Sequence, residues 1–407
     1  MLAVASIRKS EYLKISISKF ILLVFAIYIS NFLYIPASII LKIPQNIQLG
    51  AAFFIFILFS IFHIRKSDFS NLINFKLVFF YLISSLLLTP FYYNINWWPN
   101  DMIRCILLLF LFFSLRVTFR NYYLSALKII AIFTIVIQYL FCIPQLYFKE
   151  VYIIVMGLNT ESLARVSGSL VDPNIFSFTV CTCYIVLIYT IKLSGKIKSL
   201  YIFLLSLFSL YLVNLSGSRG GLLIILIVFF LYFKSVLRNT TFFAVLSFLS
   251  ILFFFSITNF SSSNISDQET TIDRFFSQDE KVKTYSSSSS DQRLGSLDEG
   301  FTLIKENYFL FGPGIFMYNY VWEKHNFYVF PHNTFVYLYS MFGILSLFPF
   351  YILIVLPFRH IKLSTAKKLL FVTLLFSLML SVNVVFYPLS FMLLDLIIMS
   401  DIGELNY

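Results

Sequence analysis

Four side chains carry the chemistry this sequence offers: the guanidinium groups of Arg165, Arg219 and Arg293 and the imidazole of His332. Arg219 stands in Ser216-Gly217-Ser218-Arg219-Gly220-Gly221 between two apolar runs. Arg293 lies in a 73-residue polar stretch, 259–331, which leads straight into Pro331-His332-Asn333 at the head of the next apolar run. Arg165 belongs to Ser162-Leu163-Ala164-Arg165-Val166-Ser167-Gly168, with Asp172-Pro173-Asn174 just behind it. A guanidinium is permanently charged and presents paired N–H donors, so several at one membrane face suit a ligand with clustered phosphate oxygens. An imidazole among them would be kept neutral by their charge and could take a proton from a hydroxyl. Gly217, Gly220 and Gly221 allow close backbone approach and put amide N–H groups at a helix start, which favours an anion.

Each of these residues also has a plainer reading. Arg219 could snorkel to lipid headgroups. Arg165 could be a solvated loop residue paired with Asp172, with a helix starting at Pro173. Arg293 could simply be solvated in its serine-rich surroundings. His332 could be an interfacial residue, with Asn333 as the helix N-cap.

These groups need a scaffold, and the composition defines its class. Of 407 residues, 59% are hydrophobic and 12% charged, which leaves too little polar surface for a soluble globule and implies a polytopic membrane protein. The net charge of +11 would suit nucleic acid, but Lys and Arg fall in short clusters between apolar runs, as in loops facing anionic lipid, so no nucleic-acid partner is expected. Cys105, Cys142, Cys181 and Cys183 all lie in apolar runs without Cys-x-x-Cys spacing or neighbouring histidine, and read as small core residues rather than disulfides or zinc ligands. Neither a metal nor another cofactor is expected.

Apolar runs long enough for helical spans fall at about 20–41, 47–64, 75–93, 102–119, 124–147, 175–191, 198–215, 221–237, 241–258, 333–357 and 369–386, with a short one at 388–400. The expected fold is therefore all-α, a bundle of about 11 to 12 spans. With the N-terminus inside, 19 of the 30 Lys and Arg fall on the cytoplasmic side, against 5 in short loops opposite. Lys42, Arg104, Lys149, Arg165, Arg219 and Arg293, with His325 and His332, are then expected on or near the outer face. The chain divides into spans over 1–258, a large extracytoplasmic loop over 259–332 and C-terminal spans over 333–407. Within the loop, the spacing of Arg293, Leu294, Leu297, Phe301 and Ile304 predicts a short amphipathic helix, ended by Gly312-Pro313-Gly314.

Taken together, three pieces resemble the O-antigen ligase and polymerase superfamily of bacterial membrane glycosyltransferases. They are Ser218-Arg219-Gly220 opening a span; Asp291-Gln292-Arg293 with Gly312-Pro313-Gly314 in the large loop; and Pro331-His332-Asn333 with Gly343-Ile344-Leu345 behind it. The segment from Arg165 to Asn174 looks like one seen in the polymerase branch. The family often has a second glycine where Ser346 stands here, a departure that concerns packing.

The resemblance implies a GT-C-like helical bundle in the bacterial inner membrane, with its active face in the periplasm. It implies a metal-independent, inverting transfer of a growing glycan from undecaprenyl diphosphate to the sugar hydroxyl of another lipid-linked repeat. Arg165, Arg219 and Arg293 would hold the diphosphate, His332 would act as base, and Asp172, Asn174, Gly220 and Asn333 would support them. A chain-length regulator protein is a candidate partner. The alternatives are an O-antigen ligase acting on lipid A-core and a flippase for the lipid-linked sugar.

Overall fold

The computed structural model describes residues 17–63, 110–111, 113–157, 165–170, 172–190, 195–236, 295–306, 311–314, 320–321, 323 and 333–351. Among these residues every regular element is helical. In chain order they include α1 (Ile17–Ser30), α2 (Tyr34–Ile40), α3 (Gln45–His63), α4 (Tyr123–Tyr147), α5 (Lys149–Met156), α6 (Pro173–Thr190), α7 (Gly195–Leu215), α8 (Arg219–Val236) and α9 (Thr334–Phe342). α3 and α4 are each long and apolar enough to cross a membrane, and α1 with α2 make a third crossing if that bent pair counts as one. The runs expected at 47–64, 124–147, 175–191, 198–215 and 221–237 correspond to α3, α4, α6, α7 and α8, with ends within three residues of expectation. Those at 75–93, 241–258, 369–386 and 388–400 lie outside the described residues, and the one at 102–119 is described only from residue 110.

Two expected spans are interrupted. The run at 20–41 breaks between α1 and α2, where the axis turns by 89°. Phe32 takes a left-handed φ of 54° at the corner. Hydropathy registers no such break, because the corner is held by tertiary bonds. The buried Asn31 donates to the Ile27 carbonyl at 2.8 Å and to Thr134 Oγ1 at 3.1 Å, while its own carbonyl accepts from Ser169 Oγ at 2.6 Å. These contacts satisfy backbone groups that a broken helix would leave bare in an apolar setting. The run at 333–357 is likewise not one helix. Gly343, at φ 57°, ends α9, and a 3₁₀ turn over Gly343–Ser346 leads into Leu347–Phe350.

α6 is the hub. It packs against α4, α7 and α8, and its residues 175–188 are buried on every side. A helix buried all round can be apolar all round, which explains why no stripe is visible in its sequence. Close approach to α8 depends on Gly221, where an added Cβ would stand 1.7 Å from Ser177 Oγ. Cys142, Cys181 and Cys183 are buried free thiols, as expected of core residues, whereas Cys105 lies outside the described residues.

The helix expected in the large loop exists over 295–306, but its faces differ from the sequence reading. Ser296, Leu303 and Ile304 are buried, while Phe301 is 49% exposed. The small Ser296 lies on the inner face where the apolar pattern alone would have placed Phe301. Leu303 joins the same buried cluster as Tyr337, Leu338 and Met341 of α9. Gly312 lies against α9 so closely that a Cβ would come within 2.2 Å of the Ser340 carbonyl oxygen. This part of the loop is thus seated on α9.

Candidate active site

Four helix ends meet around Arg165: the C-terminal end of α4, the start of α6, the end of α7 and the start of α8. α7 stops at Leu215 because Gly217 adopts φ 64°, the left-handed conformation that commonly ends a helix. The chain turns through Ser216-Gly217-Ser218 and begins α8 at Arg219. Ser218 caps the new helix: its carbonyl accepts from Leu222 N at 3.1 Å and its Oγ from Gly221 N at 3.4 Å. Gly221 therefore packs and is capped, which removes its amide from the anion-binding role its position suggested. Gly220 and the exposed Arg219 stand at the first turn of α8.

Arg165 reaches this turn from 51 residues away in the chain. Its Nε donates to the Ser216 carbonyl at 2.8 Å and its Nη2 to Asn174 Oδ1 at 3.2 Å. The Val166 amide donates to the Leu215 carbonyl at 3.3 Å. Arg165 is only 8% exposed, which corrects the reading of it as a solvated loop arginine. Asp172 is occupied in starting α6, its Oδ1 accepting from Asn174 N at 2.6 Å and Ile175 N at 3.1 Å with Pro173 at the first helical position. The structure thus brings Arg165, Asn174 and the Arg219 turn together, with Asp172 as the cap that fixes Asn174. The starts of α6 and α8 both lie beside Arg165, with amides at each already taken by Asp172 Oδ1 and Ser218 Oγ.

Beneath Arg165 lies a polar network that sequence reasoning did not single out. Gln145 Nε2 donates to the Arg165 carbonyl at 3.0 Å, and its Oε1 accepts from Ser167 N at 3.0 Å and Gly168 N at 3.1 Å. Two turns deeper on the same face of α4, Gln138 donates to Asn31 Oδ1 at 2.8 Å and Ser169 Oγ at 2.7 Å, and accepts from Ser169 N at 3.0 Å. The signal was present in the sequence: two carboxamides seven residues apart inside an otherwise apolar span share one helix face and need partners. Gly168, at φ 57°, fits because a Cβ there would stand 2.3 Å from Gln138 Oε1. Tyr152 of α5 closes the group, its hydroxyl hydrogen-bonded to Ser167 Oγ at 3.2 Å and to the Gly168 carbonyl. Burial pushes that phenol up to about 12, against a smaller opposing effect of the Ser167 bond, so it remains a donor.

Asn333 is the N-cap of α9, its Oδ1 accepting from Phe335 N at 2.9 Å and Val336 N at 3.2 Å. The plainer reading of this residue is therefore the structural one. Arg293 and His332 lie outside the described residues.

Among the described residues, apolar helices, two or three of them fit to cross a membrane, converge with their ends on an arginine-bearing turn. Residues 204–351 match the family described as O-antigen ligase, and the match supports the O-antigen ligase and polymerase superfamily, whose members are glycosyltransferase-like enzymes, for this chain. The matched region contains Arg219, Gly220, Arg293, His332 and Asn333; Arg165, Asp172 and Asn174 precede it. No curated protein matches the chain.

Proposed function

We propose that this protein is a glycosyltransferase that moves a growing glycan from undecaprenyl diphosphate to a sugar hydroxyl of a second lipid-linked repeat, on the periplasmic face of the inner membrane. The observation that carries the reading is the Arg165 guanidinium bonded to the turn from which Arg219 projects. Two arginines from distant segments at one helix mouth supply the fixed positive charge that a departing diphosphate requires. In the proposed step His332 takes the proton from the acceptor hydroxyl, and the oxygen forms a bond to the anomeric carbon. The bond from that carbon to the diphosphate oxygen breaks with inversion, and the electron pair leaves on the diphosphate. Arg219, Arg293 and Arg165 bear the released charge, work that a divalent metal does elsewhere. Gly220, Asn174, Asp172 and Asn333 hold the elements that present these groups.

Transfer to lipid A-core is the second reading, favoured by the description of the matched family as ligase. Three experiments test the proposal. Purified protein should extend a synthetic undecaprenyl-diphosphate oligosaccharide in the presence of EDTA, and loss of extension on chelation would remove the metal-independent step. Deletion should leave cells with single-repeat lipopolysaccharide; lipopolysaccharide with no O-antigen at all would favour the ligase instead. His332→Ala should abolish polymer without abolishing the protein, and unchanged polymer length would remove the base assignment.

A further inference from the structure

We propose that Gln145 is a positioning residue for the diphosphate site, setting the place of the Arg165 guanidinium by clamping the backbone from 165 to 168. The inference rests on the assignment of Arg165 to the diphosphate made above. Gln145 is fully buried on α4 and uses both ends of its carboxamide on main-chain atoms, the Arg165 carbonyl at one end and the Ser167 and Gly168 amides at the other, with a longer 3.5 Å bond to Ser167 Oγ beside them. Because it bonds to backbone, it fixes the register of the segment rather than one rotamer. From the opposite side the Leu215 carbonyl holds the Val166 amide. Arg165 is thereby pinned between α4 and the end of α7, and its side chain leaves the clamp toward Ser216 and Asn174. A long charged side chain loses less freedom on binding an anion when its backbone and first acceptors are already fixed.

A purely architectural carboxamide is available for comparison on the same helix. Gln138 is equally buried and equally well bonded, but its bonds go to Asn31 and Ser169, further from the arginine. The two glutamines therefore separate support of the fold from support of the site.

The experiment uses the full chain in lipid nanodiscs, with undecaprenyl diphosphate carrying no glycan as the probe and thermal unfolding recorded alongside. Gln145→Met should weaken binding about tenfold or more, whereas Gln138→Met should lower the melting temperature yet leave the Kd within about twofold. In an Arg165→Ala background, Gln145→Met should add nothing, because the clamp then has no guanidinium to place. Gln145→Glu keeps the two acceptor bonds and loses the donor bond, so its affinity should fall between wild type and Gln145→Met. It decides the matter if the methionine variant does not fold. Wild-type affinity in the foldable Gln145 variant, or independent additive losses in the double variant, would overturn the clamp. Failure of the wild type itself to bind the probe would remove the diphosphate assignment, a different result, and the clamp with it.

Discussion

Arg219 and Arg165 offer an anion different things. Arg219 is exposed on the first turn of α8, while Arg165 is buried and already bonded at two of its nitrogens. On the proposed reading Arg219 makes the two-point contact with the diphosphate, so Arg219→Lys should lower the extension rate about a hundredfold despite the retained charge, measured with the synthetic lipid-linked oligosaccharide. Wild-type rates would discard the clamp by Arg219. Tyr152 yields a stability prediction with a definite sign. Its phenol is raised from 10.0 to about 12 in the fold, so below pH 10 it is neutral folded and unfolded and contributes no pH dependence. Between those values the unfolded chain ionises first, and stability falls as pH rises. Melting temperatures from pH 9 to 11 should therefore decline less in Tyr152→Phe than in the wild type. Arg219 was legible in the sequence because a cation between two apolar runs, on the side expected to carry few, asks for a reason. The burial of Arg165 was not, since it depends on a carbonyl 51 residues away that no local pattern reveals.

Helices were legible where their burial is simple, and breaks were not. The apolar runs that became α3, α4, α6, α7 and α8 announce themselves by hydropathy, because length and composition alone decide them. The corner at Phe32 and the 3₁₀ turn after α9 are decided by Ser169, Thr134 and Gly343, residues a sliding window averages away. Contacts between elements give further tests. Gly221→Leu should separate α6 from α8, since even a Cβ there stands 1.7 Å from Ser177 Oγ, and both yield and activity should drop in detergent extracts. Gly312→Ala meets the backbone of Ser340 and Met341, which cannot rotate away, so it should unseat the loop from α9. Faster proteolysis within 295–314 would report it, and unaltered cleavage would argue against the seating. Asn333→Ala removes the cap of α9 at a cost of about 1 kcal/mol, readable as a lower melting temperature.

At the scale of the whole molecule, the sidedness expected from the cation distribution is open to a direct check. Glu150→Cys and Ser125→Cys lie near opposite ends of α4, and both positions are exposed, whereas Cys142, Cys181 and Cys183 are buried. A membrane-impermeant maleimide added to spheroplasts should label position 150 and spare position 125; the reverse pattern would invert the topology. The ends themselves pair consistently: Arg120 Nη2 donates to the His63 carbonyl at 2.6 Å on one side, and Arg165 to Ser216 at 2.8 Å on the other. The right-angled corner after α1 has a consequence for the lipid. A helix at right angles to its neighbour cannot deepen the same crossing: where α1 runs through the bilayer α2 runs along it, and the exposed Ile39, Ile40 and Leu41 meet acyl chains.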